Sequence, residues 1–443
     1  MKCLSYYLKE NIALILFFQL LFITQCSKSL DETENNSHIP EAVYDETGLL
    51  YTSYNGLVMA GYQGWFAAEG DESNRGWYHY KNDSCGFEPG CSSIDMWPDM
   101  EEYKKKYPTP FSHEDGSTAY LFSSFDEETI DLHFKWMKEY GIDGVFMQRF
   151  LVETKNPQGK RHFNKVLEHA LKAAKKYDRA ISIMYDLSHS TSDDLPDVLL
   201  NDWEELQTTY NLFDNDENPT YLRHNGKPLV GVWGAGFDDG RNYSLSDVEQ
   251  LISRLKGPTN KFSIMVGVPY FWRTLGADVI NSPILYSIIK NSDIVMPWAV
   301  GRYNSENYED IAPKVLAGDI EWLNKNGIDY APLVFPGFSW ANLKNGTEDY
   351  NYVPRDKGNT FWKQVAGAKF VGARSLYLAM FDEIDEGTAI FKVKNNSSVP
   401  LNGDKIFVGI DDDLPTDHYL WLAGQAARWF HGESGYGIEQ PAR

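Results

Sequence analysis

Eight short apolar runs, separated mostly by stretches with helical spacing, restrict this chain to a narrow set of folds. The runs cover 58–66, 144–150, 180–187, 229–233, 262–270, 294–298, 331–335 and 376–381. Each has the length and near-continuous apolarity of a strand buried on both faces. In the gap 127–140, Ile130, Phe134 and Met137 fall on one helical face. In 163–177, Phe163, Val166, Leu167, Ala170, Leu171 and Ala174 do the same. The patterns at 247–255, 285–290, 312–326 and 360–370 are weaker but compatible, and 415–430 reads as a closing helix. Alternation of strand and helix implies a parallel sheet, and eight units imply an α/β fold closed as a (β/α)8 TIM barrel. The open doubly wound sheet is the alternative. It would carry a glycine-rich phosphate turn after its first strand, and Gly61-Tyr-Gln-Gly64 lacks the GxGxxG spacing. Residues 67–124 form a long loop insertion after strand 1. Its aromatics and the Asp95-Met-Trp-Pro98 stretch argue against disorder, so it is expected to fold over the barrel mouth.

The ends of the runs are where such a barrel places chemistry. Run eight passes abruptly into Asp382, Glu383, Asp385 and Glu386, followed by Gly387 and Thr388. The other runs end in polar or large aromatic residues. From these ends the expected substrate-binding residues are Tyr62, Gln63, Trp65, Gln148, Arg149, Asp186, Trp233, Tyr270, Arg273, Trp298, Arg302, Trp340 and Asp382. For any one aromatic, packing under a loop is the plainer reading. All eight ends behaving alike points to a cleft. Two close carboxyls push their pKa values apart, leaving one protonated as an acid and one ionised as a base. That pairing, with Glu383 and Glu386 as the catalytic residues, is what glycoside hydrolysis requires. The two lie close in sequence, so the turn at 384–388 must re-aim one of them. An acidic turn that is merely solvated is the bland alternative.

No Walker loop, nucleophilic-serine motif or HExxH motif is present. His189 stands three residues after Asp186, but a metal needs more ligands than can be placed there, so no metal and no cofactor is expected. A formal net charge of -22 argues against a nucleic-acid partner. Thirteen Trp and 27 Tyr suit a protein that stacks sugars. Arg149, Arg273 and Arg302 either clamp an anionic sugar substituent or pair internally with Asp186, Asp382 and their neighbours.

Asp382-Glu-Ile-Asp-Glu-Gly-Thr388 resembles the Asn-Glu-Trp-x-Glu-Gly-Thr signature of glycoside hydrolase family 99 and its family 71/99-like bacterial relatives. Family 99 holds endo-α-mannosidases and family 71 holds α-1,3-glucanases. Gly61-Tyr-Gln-Gly-Trp65, Ile94-Asp-Met-Trp-Pro-Asp99, Phe146-Met-Gln-Arg149, Val268-Pro-Tyr-Phe-Trp-Arg273, Pro297-Trp-Ala-Val-Gly-Arg302 and Pro336-Gly-Phe-Ser-Trp340 are similar to other motifs of that group. The resemblance implies a (β/α)8 barrel, retention of configuration and no metal. It implies that Glu383 deprotonates the sugar 2-hydroxyl, giving an anhydro-sugar intermediate, while Glu386 acts as acid and then base. Asp382 stands where the signature has Asn, and Ile384 where it has Trp. Neither mannan nor α-1,3-glucan is therefore carried over. The expected function is a retaining glycosidase acting on a poly- or oligosaccharide. The alternatives are a xylosidase/arabinosidase-type exo-glycosidase and a non-catalytic glycan-binding lipoprotein. A lyase is a weaker rival.

The N-terminus predicts location. Residues 1–25 read as a signal peptide, with an apolar stretch too short for a confident membrane span. Cys26 directly after it resembles a lipoprotein lipidation site, which would make this an outer-membrane or cell-surface lipoprotein. Ordinary cleavage would give a periplasmic or secreted protein. Residues 26–46 are polar and acidic and read as a flexible tether, leaving 47–443 as one barrel domain. A lipid at Cys26 is the expected membrane contact, and a monomer is expected. Cys85 and Cys91 bracket a turn-rich loop. In an oxidising compartment they are expected to form a disulfide, with two reduced thiols as the alternative.

Overall fold

A computed structural model describes residues 42–443, and Ala42–Arg443 form one compact unit. The signal peptide, Cys26 and residues 26–41 of the expected tether lie outside the described residues. Residues 42–46 lie against the barrel: the Tyr44 hydroxyl donates to Asp178 at 2.8 Å, and the Asp45 carboxylate accepts from Leu49 N at 2.9 Å.

Eight parallel strands form a ring among the described residues. They are β1 (Val58–Tyr62), β2 (Gly144–Phe150), β3 (Ala180–Asp186), β4 (Lys227–Trp233), β5 (Ser263–Pro269), β6 (Ile294–Trp298), β7 (Asp329–Tyr330 with Leu333–Val334) and β8 (Leu376–Leu378). Each pairs with the next, and β8 returns to β1 in the register Val58↔Leu376. Closure depends on β7. Its first half pairs with β6 (Asp329↔Ile294) and its second half with β8 (Leu333↔Tyr377). Pro332 separates the halves because it has no N–H to donate, yet its carbonyl still accepts from Tyr377 N at 3.1 Å.

The helices that cover the ring are α1 (Glu127–Tyr140), α2 (Pro157–Tyr177), α3 (Asp197–Thr209), α4 (Leu245–Lys256), α5 (Ile284–Lys290), α6 (Tyr308–Asn326), α7 (Asn359–Phe370) and α8 (His418–Phe430). Local chemistry sets several of their ends. Asn156 caps α2 by accepting from Gln158 N and Gly159 N, with Pro157 in the first turn. Ser244 and Asp247 form a capping box at α4. α3 lies in a gap where the sequence predicted no helix. Its buried face is Leu199, Asp202, Trp203 and Leu206, and the aspartate breaks the apolar stripe. A hairpin of Tyr107–Ser112 and Thr118–Leu121 inside the insertion is also additional to expectation.

Side-chain alternation along the strands divides the core in two. Met59, Phe146, Met184, Met265, Met296 and Tyr377 fill the ring. Val58, Ala60, Val145, Val230, Val266 and Leu376 face the helices in a second cluster. Gly61 is required by the ring interior, since a Cβ there would sit 2.2 Å from Met380 and 2.3 Å from the Tyr377 hydroxyl. Among the described residues, no helix is long and apolar enough to cross a membrane.

Candidate active site

The turn after β8 answers the spacing problem posed by Glu383 and Glu386. Phe381 N donates to Gly61 O at 2.8 Å and Ile390 N to Met380 O at 3.0 Å, so residues 382–389 fold back as a closed loop. Gly387 has φ +63°, and a Cβ there would meet Ser339 N at 2.9 Å. Both glutamates consequently line the same cleft, a cavity of about 1,080 Å³ at the C-terminal end of the strands.

Their surroundings differ. Glu383 is buried, and Gln63 Nε2 and Thr388 Oγ1 donate to its two oxygens. Burial pushes its pKa well up, Glu386 and Asp385 add to the shift, and the two donors oppose it. Glu386 is half-buried. Burial, then the charge of Asp385, raises its pKa to about 7, with Lys344 opposing. A third carboxyl, Asp385, is raised by burial to about 8. Its Oδ2 lies 3.2 Å from His79 Nδ1, while its Oδ1 is buried without a partner. His79 stacks on Trp65 with ring centres 3.8 Å apart, and burial lowers its pKa to about 3, which keeps it neutral at ordinary pH. Crowded carboxyls in low dielectric cannot all ionise at once, so the group holds protons at neutral pH.

Three loops are locked together around this turn. Asp95 of the insertion accepts from Ser339 Oγ at 2.5 Å, Ala341 N at 2.9 Å and Asn342 N at 2.7 Å. Asp95 N and Met96 N both donate to Ile384 O at 3.1 Å. The buried Arg355 donates to Gly387 O at 2.9 Å and Ala389 O at 2.6 Å. The acidic turn is thus fixed by hydrogen bonds from two other loops to its backbone carbonyls, which preorganises its side chains.

Strand parity sorted the expected binding residues. Gln63, Gln148, Asp186, Trp233 and Trp298 point inward and line the cleft, as do Trp65, Trp340 and Arg302. Five expected residues lie elsewhere. Tyr62 points outward from β1, and its hydroxyl is 2.7 Å from His133 Nδ1 on α1. Arg149 points outward from β2 and grips Asp202 of α3 through Nε and Nη2 at 2.5 and 2.6 Å. Tyr270 is buried under the loop after β6, its ring 5.5 Å from Tyr303. Arg273 turns away to Asp319 of α6 at 2.9 Å. Asp382 is buried and accepts from Gln63 N at 2.7 Å and Gly64 N at 2.9 Å, clamping the end of β1 to that of β8. Arg302, though in the cleft, donates to Asp278 at 2.6 Å. The arginines thus pair internally, with Asp202, Asp319 and Asp278 rather than with Asp186 or Asp382.

The insertion delivers Tyr78, His79, Lys81, Asp83 and Ser93 to the cleft, so part of it does reach the mouth. Several cleft residues were not singled out from sequence. Tyr377, whose hydroxyl accepts from Gln148 Nε2 at 2.8 Å, was findable from its inward parity on β8. Glu153 was not, because its partners Arg75 and Tyr78 lie more than 70 positions away. Cys85 and Cys91 form the expected disulfide. Among the described residues, no group of three His, Cys, Asp or Glu side chains is arranged to hold a metal ion.

No protein-family model matches the chain, and no curated protein does. Solved structures do. The GH99 endo-alpha-mannosidase from Bacteroides thetaiotaomicron, in complex with BIS-TRIS-Propane, superposes with a TM-score of 0.60 at 15% identity, covering 85% of this chain and 98% of that one. A second structure of the endo-alpha-mannosidase gives 0.61 at 14% identity with the same coverage. At such identity the likeness shows the fold: this chain has a glycoside-hydrolase-like (β/α)8 barrel.

Proposed function

We propose that the protein is a retaining glycoside hydrolase acting on a poly- or oligosaccharide. The observation that carries this reading is the delivery of Glu383 and Glu386 by one rigid turn into one aromatic-lined cleft, in unlike environments. Two hydrogen bonds orient the Glu383 carboxylate and oppose the rise that burial imposes on its pKa, so they favour the ionised form a base needs. Glu386 has its pKa raised to about 7, which suits an acid near neutral pH. In the route that the motif resemblance implies, Glu383 takes the proton of the sugar 2-hydroxyl as that oxygen attacks the anomeric carbon. Glu386 protonates the departing glycosidic oxygen as the bond breaks. In the second half Glu386 takes a proton from water as it opens the anhydro ring, and Glu383 returns its proton to the 2-oxygen. Two displacements at one carbon retain configuration.

Glu383→Gln and Glu386→Gln test this. Each should lower turnover by roughly a hundredfold or more, and the double variant should not add the two losses. Glu386→Gln should be partly rescued on an aryl glycoside, whose leaving group needs less protonation, whereas Glu383→Gln should not. Near-normal turnover by folded single variants would sink the assignment and leave the acidic turn a structural feature of a glycan-binding barrel.

A further inference from the structure

The catalytic cleft does not end at the ring. A second cavity of about 650 Å³ shares Gly301, Arg302 and Tyr352 with the first, so the two meet along a common edge. The first, at about 1,080 Å³, already matches the upper end of the roughly 300–1,000 Å³ range of small-ligand sites. The floor joining them is aromatic. Trp340 packs on Phe338 at 4.9 Å and Phe338 on Tyr352 at 6.1 Å. Tyr352 is 50% exposed, unusual for so large a ring.

The walls of the second cavity are built, not loose. Phe338 and Val353 exchange backbone bonds at 2.9 Å each. Asn351 N donates to Ser339 Oγ at 2.8 Å, and the Tyr350 hydroxyl donates to Asn342 at 2.8 Å. Opposite them, the carboxamide oxygens of Asn304 and Asn307 are engaged by backbone N–H groups, which fixes both side chains and leaves their NH2 groups as donors. The one guanidinium at the seam, Arg302, is held by Asp278. Beside that paired arginine, the lining is one carboxylate, Asp349, with neutral amides and phenols around an exposed ring. Such a set accepts from and donates to hydroxyls and repels anions, which matches a hydroxyl-rich ligand without negative charge.

We infer that this second cavity is a distal glycan subsite, holding neutral sugar units of a chain whose scissile bond lies at Glu383 and Glu386. The inference rests on the reading of the cleft as a glycan site. It makes the protein prefer long chains over short ones, with Tyr352 as the stacking platform and Asn351 as a hydrogen-bonding contact.

The test uses Glu386→Gln as a non-cleaving parent. Its affinity for α-mannan, α-1,3-glucan and xylan oligosaccharides of increasing length is measured by calorimetry. For the best-bound series, the Kd should fall about tenfold once the chain outgrows the first cavity, the size one aromatic contact carries. Adding Tyr352→Ala or Asn351→Gly should erase that gain. Glycine keeps the φ of +52° found at Asn351, so the fold is undisturbed and short-chain affinity should stay at the parent value. Equal affinity for long and short chains, or a gain that survives both substitutions, overturns the inference. Wild-type cleavage of the same series is scored separately. A length gain without cleavage sinks the catalytic reading alone, cleavage without a length gain sinks the subsite alone, and a panel neither bound nor cleaved counts against both.

Discussion

Asp385 is the residue whose role departs furthest from its place in the motif. It separates the two glutamates in sequence, and its charge raises both in pKa. It faces Glu383 and Glu386 on its own turn, His79 from the insertion, and acts at longer range on Asp382 and Asp95. Asp385→Asn removes that charge. The pKa of Glu386 should fall, so the alkaline limb of the rate profile should move to lower pH, because an acid is lost as pH rises through its pKa. An unmoved limb would exclude Asp385 as the tuning group. The same substitution should stabilise the protein at high pH. The folded-state pKa of Asp385, about 8, lies above its unfolded value near 3.8. The stability linked to its proton is therefore fully present below pH 4 and lost as pH rises through about 8. Melting of the variant should exceed wild type by roughly 2–4 °C at pH 8, with the gap closing near pH 4.

At the scale of elements, β2 and α3 are joined by a charge pair whose arginine, Arg149, is among the residues the sequence places at the substrate. Arg149 and Asp202 are each about 3% exposed, and the Tyr185 hydroxyl also donates to Asp202 at 2.7 Å. Removing one partner of such a pair leaves a buried charge uncompensated. Arg149→Ala should cost about 3–5 kcal/mol, and Arg149→Ala with Asp202→Ala should recover part of that loss. At a temperature where the variant is folded, its KM should equal that of wild type. A raised KM with unchanged melting would restore Arg149 to the substrate site. The pair also explains why α3 was not legible: Asp202 occupies a buried position of the helix and interrupts the apolar spacing that reveals the other helices.

At the scale of the molecule, we propose that the barrel is delivered outside the cytoplasm on a lipid at Cys26. Cys26→Ala should move the protein from the membrane fraction to the soluble fraction, because several acyl chains anchor firmly where none or one does not. Unchanged fractionation would favour simple secretion. The Cys85–Cys91 bridge is consistent with an oxidising compartment.

The sequence by itself determined the repeating architecture and the place of the carboxyl cluster. Strand and helix periods are local, so apolar runs at 58–66 through 376–381 located seven strands and the second half of β7, and the acidic turn after the last located the carboxyls. Side-chain direction was carried by strand parity but went unused in expecting all four residues at the substrate: Gln63 and Gln148 enter the cleft while Tyr62 and Arg149, one step along, leave it. Only the tertiary structure decided which charged residues neutralise one another, that Asp382 clamps two strand ends, and that Asp95 and Arg355 fix the acidic turn from distant loops. Only it showed that β7 closes the ring in two halves and that a second cavity continues the first. These depend on pairings between segments far apart in the chain, which are set by the geometry of the closed ring and leave no periodic trace in the residues that make them.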